Sequence, residues 1–149
     1  MKKGPNVNKA ILSAALAAGL IGSSAALAAQ VQVSGAWFRA LPSHLPAGGY
    51  FTLHNNGVPV KLKGAQSPAC GMLMLHRSAD VGGMESMMMV ETVVIPAGGT
   101  IAFAPGGYHL MCTSPAAAMM PGGHVPVTLR FSDGSSVTVS FAVRNANGK

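Results

Sequence analysis

A chain of 149 residues has room for one domain, and with only 9% charged residues, 19 glycines and 10 prolines it does not read as a long-helical protein. The formal net charge of +6 comes from ten basic residues against four acids. No stripe of Lys and Arg interleaved with aromatics accompanies it, which excludes the usual footprint of a nucleic-acid binder.

The chain begins with Lys2, Lys3 and Lys9 ahead of an apolar run of small residues and leucines, Ala10 to Ala28, that closes on Ala26-Leu27-Ala28. A positive stretch, an apolar stretch and an A-x-A pattern together predict a secretory signal peptide over residues 1–28. A transmembrane anchor is the alternative, but serines and glycines interrupt the run and no basic stop-transfer cluster follows. No cysteine follows the A-x-A pattern, which speaks against a lipid anchor there. Without the three leader lysines, seven basic residues face four acids, a net of +3. The expected location is the periplasm, with no membrane span in the mature form.

From there short apolar or alternating segments recur between Gly, Pro and Asn breaks, the pattern of a β protein. The segments are Gln32–Arg39, Gly49–His54, Val58–Gly64, Met72–Arg77, Ser86–Val94, Thr100–Phe103, Tyr108–Thr113, Val125–Phe131 and Ser136–Val143. Asp133-Gly134 between two alternating runs is a hairpin signal, because both residues tolerate positive φ. Such strands over residues 29–144 predict an all-β, single-domain Greek-key β-sandwich, with a small closed barrel as runner-up. Ser114–Gly123 reads as a loop with room for one helical turn, and Asn145–Lys149 as a polar tail expected to fray. Cys70 and Cys112 are the only cysteines. They can form one disulfide or remain buried or reactive thiols, and the absence of C-x-x-C removes a thioredoxin-type site.

The chemistry lies in histidine and methionine. In a strand His109 and Met111 project to one side while Tyr108, Leu110 and Cys112 project to the other. In Met72–Arg77 the same parity groups Met72, Met74 and His76 against Leu73 and Leu75. Six methionines, Met72, Met74, Met84, Met87, Met88 and Met89, fall within eighteen residues. Each histidine alone is well explained as a hydrogen-bonded surface residue, and Met87 alone as core. Taken together, imidazole and thioether donors suit the soft ion Cu(I), whereas Ca²⁺ and Mg²⁺ need clustered oxygens and zinc sites use Cys, His and carboxylate. Thioethers also need no deprotonation and cannot be lost to disulfide formation.

The spacing H-x10-M-x21-H-x-M, with LPAGGYFTLHNNG, LHRSADVGGMESMMMVE, IPAGGTIAFAPGGYHLM and VPVTLRFSDGSSVTVSF, resembles the periplasmic copper chaperone family of the PCuAC type. The likeness runs from about Ala36 to Val143. It implies a cupredoxin-like Greek-key sandwich with His76, Met87, His109 and Met111 as ligands of one Cu(I). It also implies delivery of the copper ion to an acceptor protein, the copper A site of cytochrome c oxidase, often beside a Sco-type factor. Some family members carry a His/Met-rich C-terminal tail for Cu(II), a pattern that RNANGK does not match.

Other functions fit less well. A blue-copper carrier needs a cysteine ligand with a nearby histidine, and no histidine follows Cys112 within ten residues. Asp80, Glu85 and Glu91 form no evident catalytic pair, so an enzyme is not expected. A copper scavenging or storage protein, or a metal-free sandwich interaction module, remain the alternatives. The expected state is a monomer.

Overall fold

Alternation of apolar and polar residues decides which side of each segment meets the core, and the computed structural model follows it. It describes residues 30–149 and Gly4, so the leader read over 1–28, Gly4 apart, lies outside the described residues. In chain order the strands are β1 (Val31–Arg39), β2 (Ala47–Asn55), β3 (Val60–Gln66), β4 (Cys70–Val81), β5 (Met84–Met89), β6 (Val93–Ile95), β7 (Thr100–Phe103), β8 (Tyr108–Pro115), β9 (His124–Phe131) and β10 (Ser136–Arg144). A single 3-10 turn, Pro42–His44, joins β1 to β2.

The strands pair in the order β5-β4-β8-β7-β2-β1-β10-β9-β3-β6, with a further pairing of β8 to β2. β1 and β10 run parallel; β1 with β2 and β9 with β10 are antiparallel. The sheet bends around one core into a Greek-key, cupredoxin-like sandwich, leaving β5 and β6 as its free ends. Phe38, Leu53, Leu62, Ile95, Leu110, Leu129, Phe131 and Phe141 are fully buried there. Phe141 links the layers through ring contacts to Phe38 at 5.1 Å and Phe51 at 5.7 Å, and Phe51 stacks on Phe103 at 4.3 Å.

The nine expected strands become ten because Ser86–Val94 divides. Met84–Met89 stays with β4, whereas Val93–Ile95 pairs with β3 and buries Val93 and Ile95. Val90 donates its N–H to the Leu75 carbonyl at 2.9 Å, the last link to β4 before the chain crosses over. The Asn55-Asn56-Gly57 break is tied down by Asn55, which is fully buried. Its amide donates to the carbonyls of Val58 at 2.8 Å and Ile95 at 3.2 Å, and its oxygen accepts from Gly57 N–H at 3.0 Å. A buried amide so placed is satisfied, and it anchors the turn.

Two loop expectations change. Ser114 and Pro115 extend β8, and the residues up to Gly123 form turns with no helical turn among them. The tail closes into a turn: Asn145 N–H donates to the Lys149 carbonyl at 2.8 Å, and the Asn145 side chain accepts from Asn147 and Lys149 N–H. Asparagine's short amide competes well for local backbone donors, which accounts for this order.

Cys70 and Cys112 are joined in a disulfide, Cα–Cα 5.4 Å, across the β4–β8 pair. The bridge closes a loop of 42 residues in sequence separation, so its removal by Cys70→Ser/Cys112→Ser is expected to lower stability by about 2–4 kcal/mol in denaturant unfolding. The core owes nothing to a metal, unlike a zinc finger. The metal-free protein is therefore expected to give a dispersed amide NMR spectrum; a collapsed spectrum restored by copper would contradict this.

Candidate metal centre

The β4–β8 ladder generates the site. Its register sets Leu73 opposite Cys112, Met74 opposite Met111, Leu75 opposite Leu110 and His76 opposite His109. Leu73, Leu75, Leu110 and Cys112 all enter the core. By strand parity, Met74, His76, His109 and Met111 then share the other side of the sheet. The two imidazoles meet edge to face, ring centroids 5.6 Å apart.

β5 adds the remaining thioethers. Gly82 and Gly83, at φ 65° and 82°, make a two-residue turn that only glycine adopts easily, and Asp80 accepts the Gly83 N–H at 2.9 Å. Val81 is therefore paired with Met84, Ser78 with Met87, and His76 with Met89. Glu85, Met87 and Met89 lie on the histidine side. Met87 is 57% exposed and Met89 70%.

His109 is only 4% exposed. Its Nδ1 lies 3.2 Å from the Gly107 carbonyl, which can only accept, so Nδ1 carries a proton and, in the neutral ring, Nε2 presents a lone pair. Among the described residues that Nε2 is buried without a partner, and so is Nδ1 of His76. A buried polar atom left unpaired costs about 1–3 kcal/mol, and two of them in facing rings need a reason. A soft metal ion supplies one: neutral imidazole nitrogen is a donor for it, and a second hydrogen bond that fixes the ring is the usual support of such a ligand. Among the described residues no three His, Cys, Asp or Glu side chains cluster as a metal site. Around the histidine pair stand the thioethers of Met74, Met87, Met89 and Met111, with the Glu85 carboxylate in the same cavity as His109.

His109, Met111, Met87, Ser78 and Glu85 line a cavity of about 320 Å³ together with Arg39, Gly48 and Tyr50. Gly48 lies opposite Met111, and a Cβ there would stand 2.7 Å from the Tyr50 hydroxyl, so the missing side chain lets Tyr50 fold over the strand. Trp37 packs on Tyr50 at 5.0 Å, and the Arg39 guanidinium sits 5.5 Å from each ring.

Of the four residues singled out by spacing, the structure brings His76, His109 and Met111 onto adjacent positions of β4 and β8. Met87 comes from β5 to the same cavity as His109 and Met111, opposite Ser78 rather than His76. Sequence reasoning missed Met89 facing His76 and the pairing of Met74 with Met111. Counting back from the glycine turn would have found the first. The other histidines are elsewhere: His44 is exposed on the 3-10 turn, His54 bonds Thr100 at 2.6 Å, and His124 is exposed at the start of β9.

Burial, with the neighbouring His109 imidazole adding to it, holds His76 below the ordinary histidine value of 6.5. The neutral, donor-competent ring thus persists further into acid than in a free histidine. The unfolded chain takes up this proton first, so the contribution of His76 to stability is complete above about pH 6.5 and is lost as pH falls through its lower folded value. An NMR titration of the metal-free protein is expected to give a His76 midpoint below that of an unstructured peptide; a midpoint above it would contradict the burial argument.

Comparison with known proteins bears on the family and the fold. The family described as "Putative lipoprotein LpqE-like" matches residues 31–143. The chain is 35% identical to "Putative lipoprotein Lxx21020" of Leifsonia xyli subsp. xyli, covering 99% of this chain and 96% of that protein. The Cu(I) form of DR1885 from Deinococcus radiodurans superposes with a TM-score of 0.61 at 34% identity, covering 74% of this chain and 75% of that one. The copper-bound PCuAC domain from PmoF2 shares the fold, with a TM-score of 0.63 at 24% identity over 78% of this chain and 93% of that domain.

Proposed function

The chain belongs to the LpqE-like family, and on that premise we propose that it is a periplasmic copper chaperone, carrying one Cu(I) as cargo on His76, Met87, His109 and Met111. The observation that carries this reading is the pair of facing imidazoles whose buried nitrogens, His109 Nε2 and His76 Nδ1, have no partner among the described residues. The relatives named for copper, DR1885 and the PmoF2 domain, support the choice of ion. Export rests on the leader sequence and on the lipoprotein names of the family and of the Leifsonia relative. Both cysteines of this sequence are tied to each other.

Each residue has a separate part. Gly107 holds the His109 ring through Nδ1 and leaves Nε2 as the donor, and burial favours the neutral form of His76. Met111 shares the His109 side of β8, and Met87 closes the cavity from β5. All four donors are neutral, and a +1 ion needs less compensating charge than a +2 ion in such a place. Neutral thioethers hold a soft ion without the tenacity of thiolate, which suits a carrier rather than an enzyme or a permanent store. The acceptor is the copper A site of cytochrome c oxidase or a Sco-type assembly factor, and the carrier works as a monomer.

Competition titration against a Cu(I) chelator is expected to give one Cu(I) per chain, with His76→Ala or His109→Ala weakening binding by roughly 100-fold or more. Equal affinity for the wild type and the double variant would dismiss the site.

A further inference from the structure

Three methionines on the histidine face, Met72, Met74 and Met89, are not used by the quartet; Met72 pairs with Thr113 further along β4, and the other two adjoin His76. Met89 is paired directly with His76 across β5–β4, and Met74 is the next residue of β4 on the same side, paired with Met111. Met74 and Met89 therefore occupy a diagonal across adjacent strands, a separation that long side chains span, with His76 next to both. They also line one cavity of about 340 Å³ at the edge of β4, together with Leu73, Leu75, Lys63, Glu91 and Arg130. His109 and Met111 line the other cavity; His76 lines neither, and it is the strand register that sets it beside both His109 and Met89. Exposure runs in the same direction, from His109 at 4% to Met89 at 70%.

Resting on the copper reading above, we infer that Met74 and Met89, with His76, form an outer Cu(I) station through which the ion leaves the inner quartet. A four-donor ion offers an incoming ligand no open position. His76 belongs to both sets, so the ion can change sets without entering water. Its bonds to the nitrogen of His109 and the sulfurs of Met111 and Met87 break as bonds to the sulfurs of Met74 and Met89 form. The bond to His76 persists, copper stays at +1, and no proton moves, because thioethers carry none. The three-donor station lies at the free end of the sheet, where β5 has no strand beyond it. A three-coordinate ion there is open to a partner's ligand.

The test is anaerobic unloading of the Cu(I)-loaded full chain by bathocuproine disulfonate, followed by stopped-flow absorbance, beside equilibrium competition. Met74→Leu/Met89→Leu is expected to keep the equilibrium affinity within about threefold and to unload roughly tenfold more slowly. Met84→Leu/Met88→Leu, on the opposite side of β5, is expected to unload at the wild-type rate. Unchanged unloading in the first variant, or equal slowing in both, overturns the outer station. A tenfold or greater loss of affinity in the first variant overturns it too, since Met74 or Met89 would then be a resident ligand. If His109→Ala retains full affinity, the quartet itself has failed; if His109→Ala loses affinity while unloading is unaffected by Met74 and Met89, only the exit route has failed.

Discussion

The antiparallel register between β4 and β8 determines nearly everything that follows at the site. Because side chains alternate, the pairing of Leu75 with Leu110 and Leu73 with Cys112 places a dry row in the core and leaves His76, His109, Met74 and Met111 together on the far side. A slip of one residue in either strand would exchange the rows, burying thioethers and exposing leucines. The register is held by that apolar row and by the Cys70–Cys112 bridge across the same two strands. Cys112 is thus adjacent to a proposed ligand yet faces away from it, and in the disulfide it is not free to compete for the ion.

The site is assembled against local stability. Unpartnered nitrogens on His76 and His109, with Arg39 Nε in the same condition nearby, are the kind of defect that a well-packed sheet normally avoids. β5 has every residue exposed, including Met84, Met87, Met88 and Met89. Neither feature helps folding. Both are intelligible if the imidazole lone pairs are held ready for an ion and if the methionines need solvent access to exchange it. Methionine is flexible enough to reorient without disturbing the backbone that carries it.

Much of this was legible in the sequence because strand parity is a local property. His109-x-Met111 and the leucine–histidine alternation of GMLMLH are enough by themselves to say which residues share a side, and the glycine turns mark where strands stop. The division of Ser86–Val94 was not legible, since an unbroken apolar run does not say which neighbour each half will pair with. Only the tertiary choice of Val93 and Ile95 to pair with β3 reveals it. The disulfide was similarly open, because spacing carries no distance. Met89 escaped for a different reason: its relation to His76 is a register between strands, fixed by the Gly82-Gly83 turn and invisible to a motif written along one chain. The ordered tail was missed because its bonds come from one side chain, Asn145, rather than from any periodic pattern.

The division of labour across the sandwich follows from these constraints. Phe38, Phe131, Phe141, Leu129 and Ile95 gather on β1, β9, β10 and β6, away from the β4–β5 hairpin, and supply burial that owes nothing to the histidine face. Hydrophobic burial is additive over area and indifferent to direction, so a core placed there tolerates an exposed hairpin elsewhere. Metal chemistry has the opposite character: it depends on a few donors at fixed relative positions. Strands β4 and β8 join the two demands, since each carries core residues on one side and donors on the other. On the proposed reading, copper comes and goes on that outer side while the inner side remains packed. A carrier has to satisfy this condition, because a protein whose fold depended on its cargo could not release the cargo and remain ready for the next.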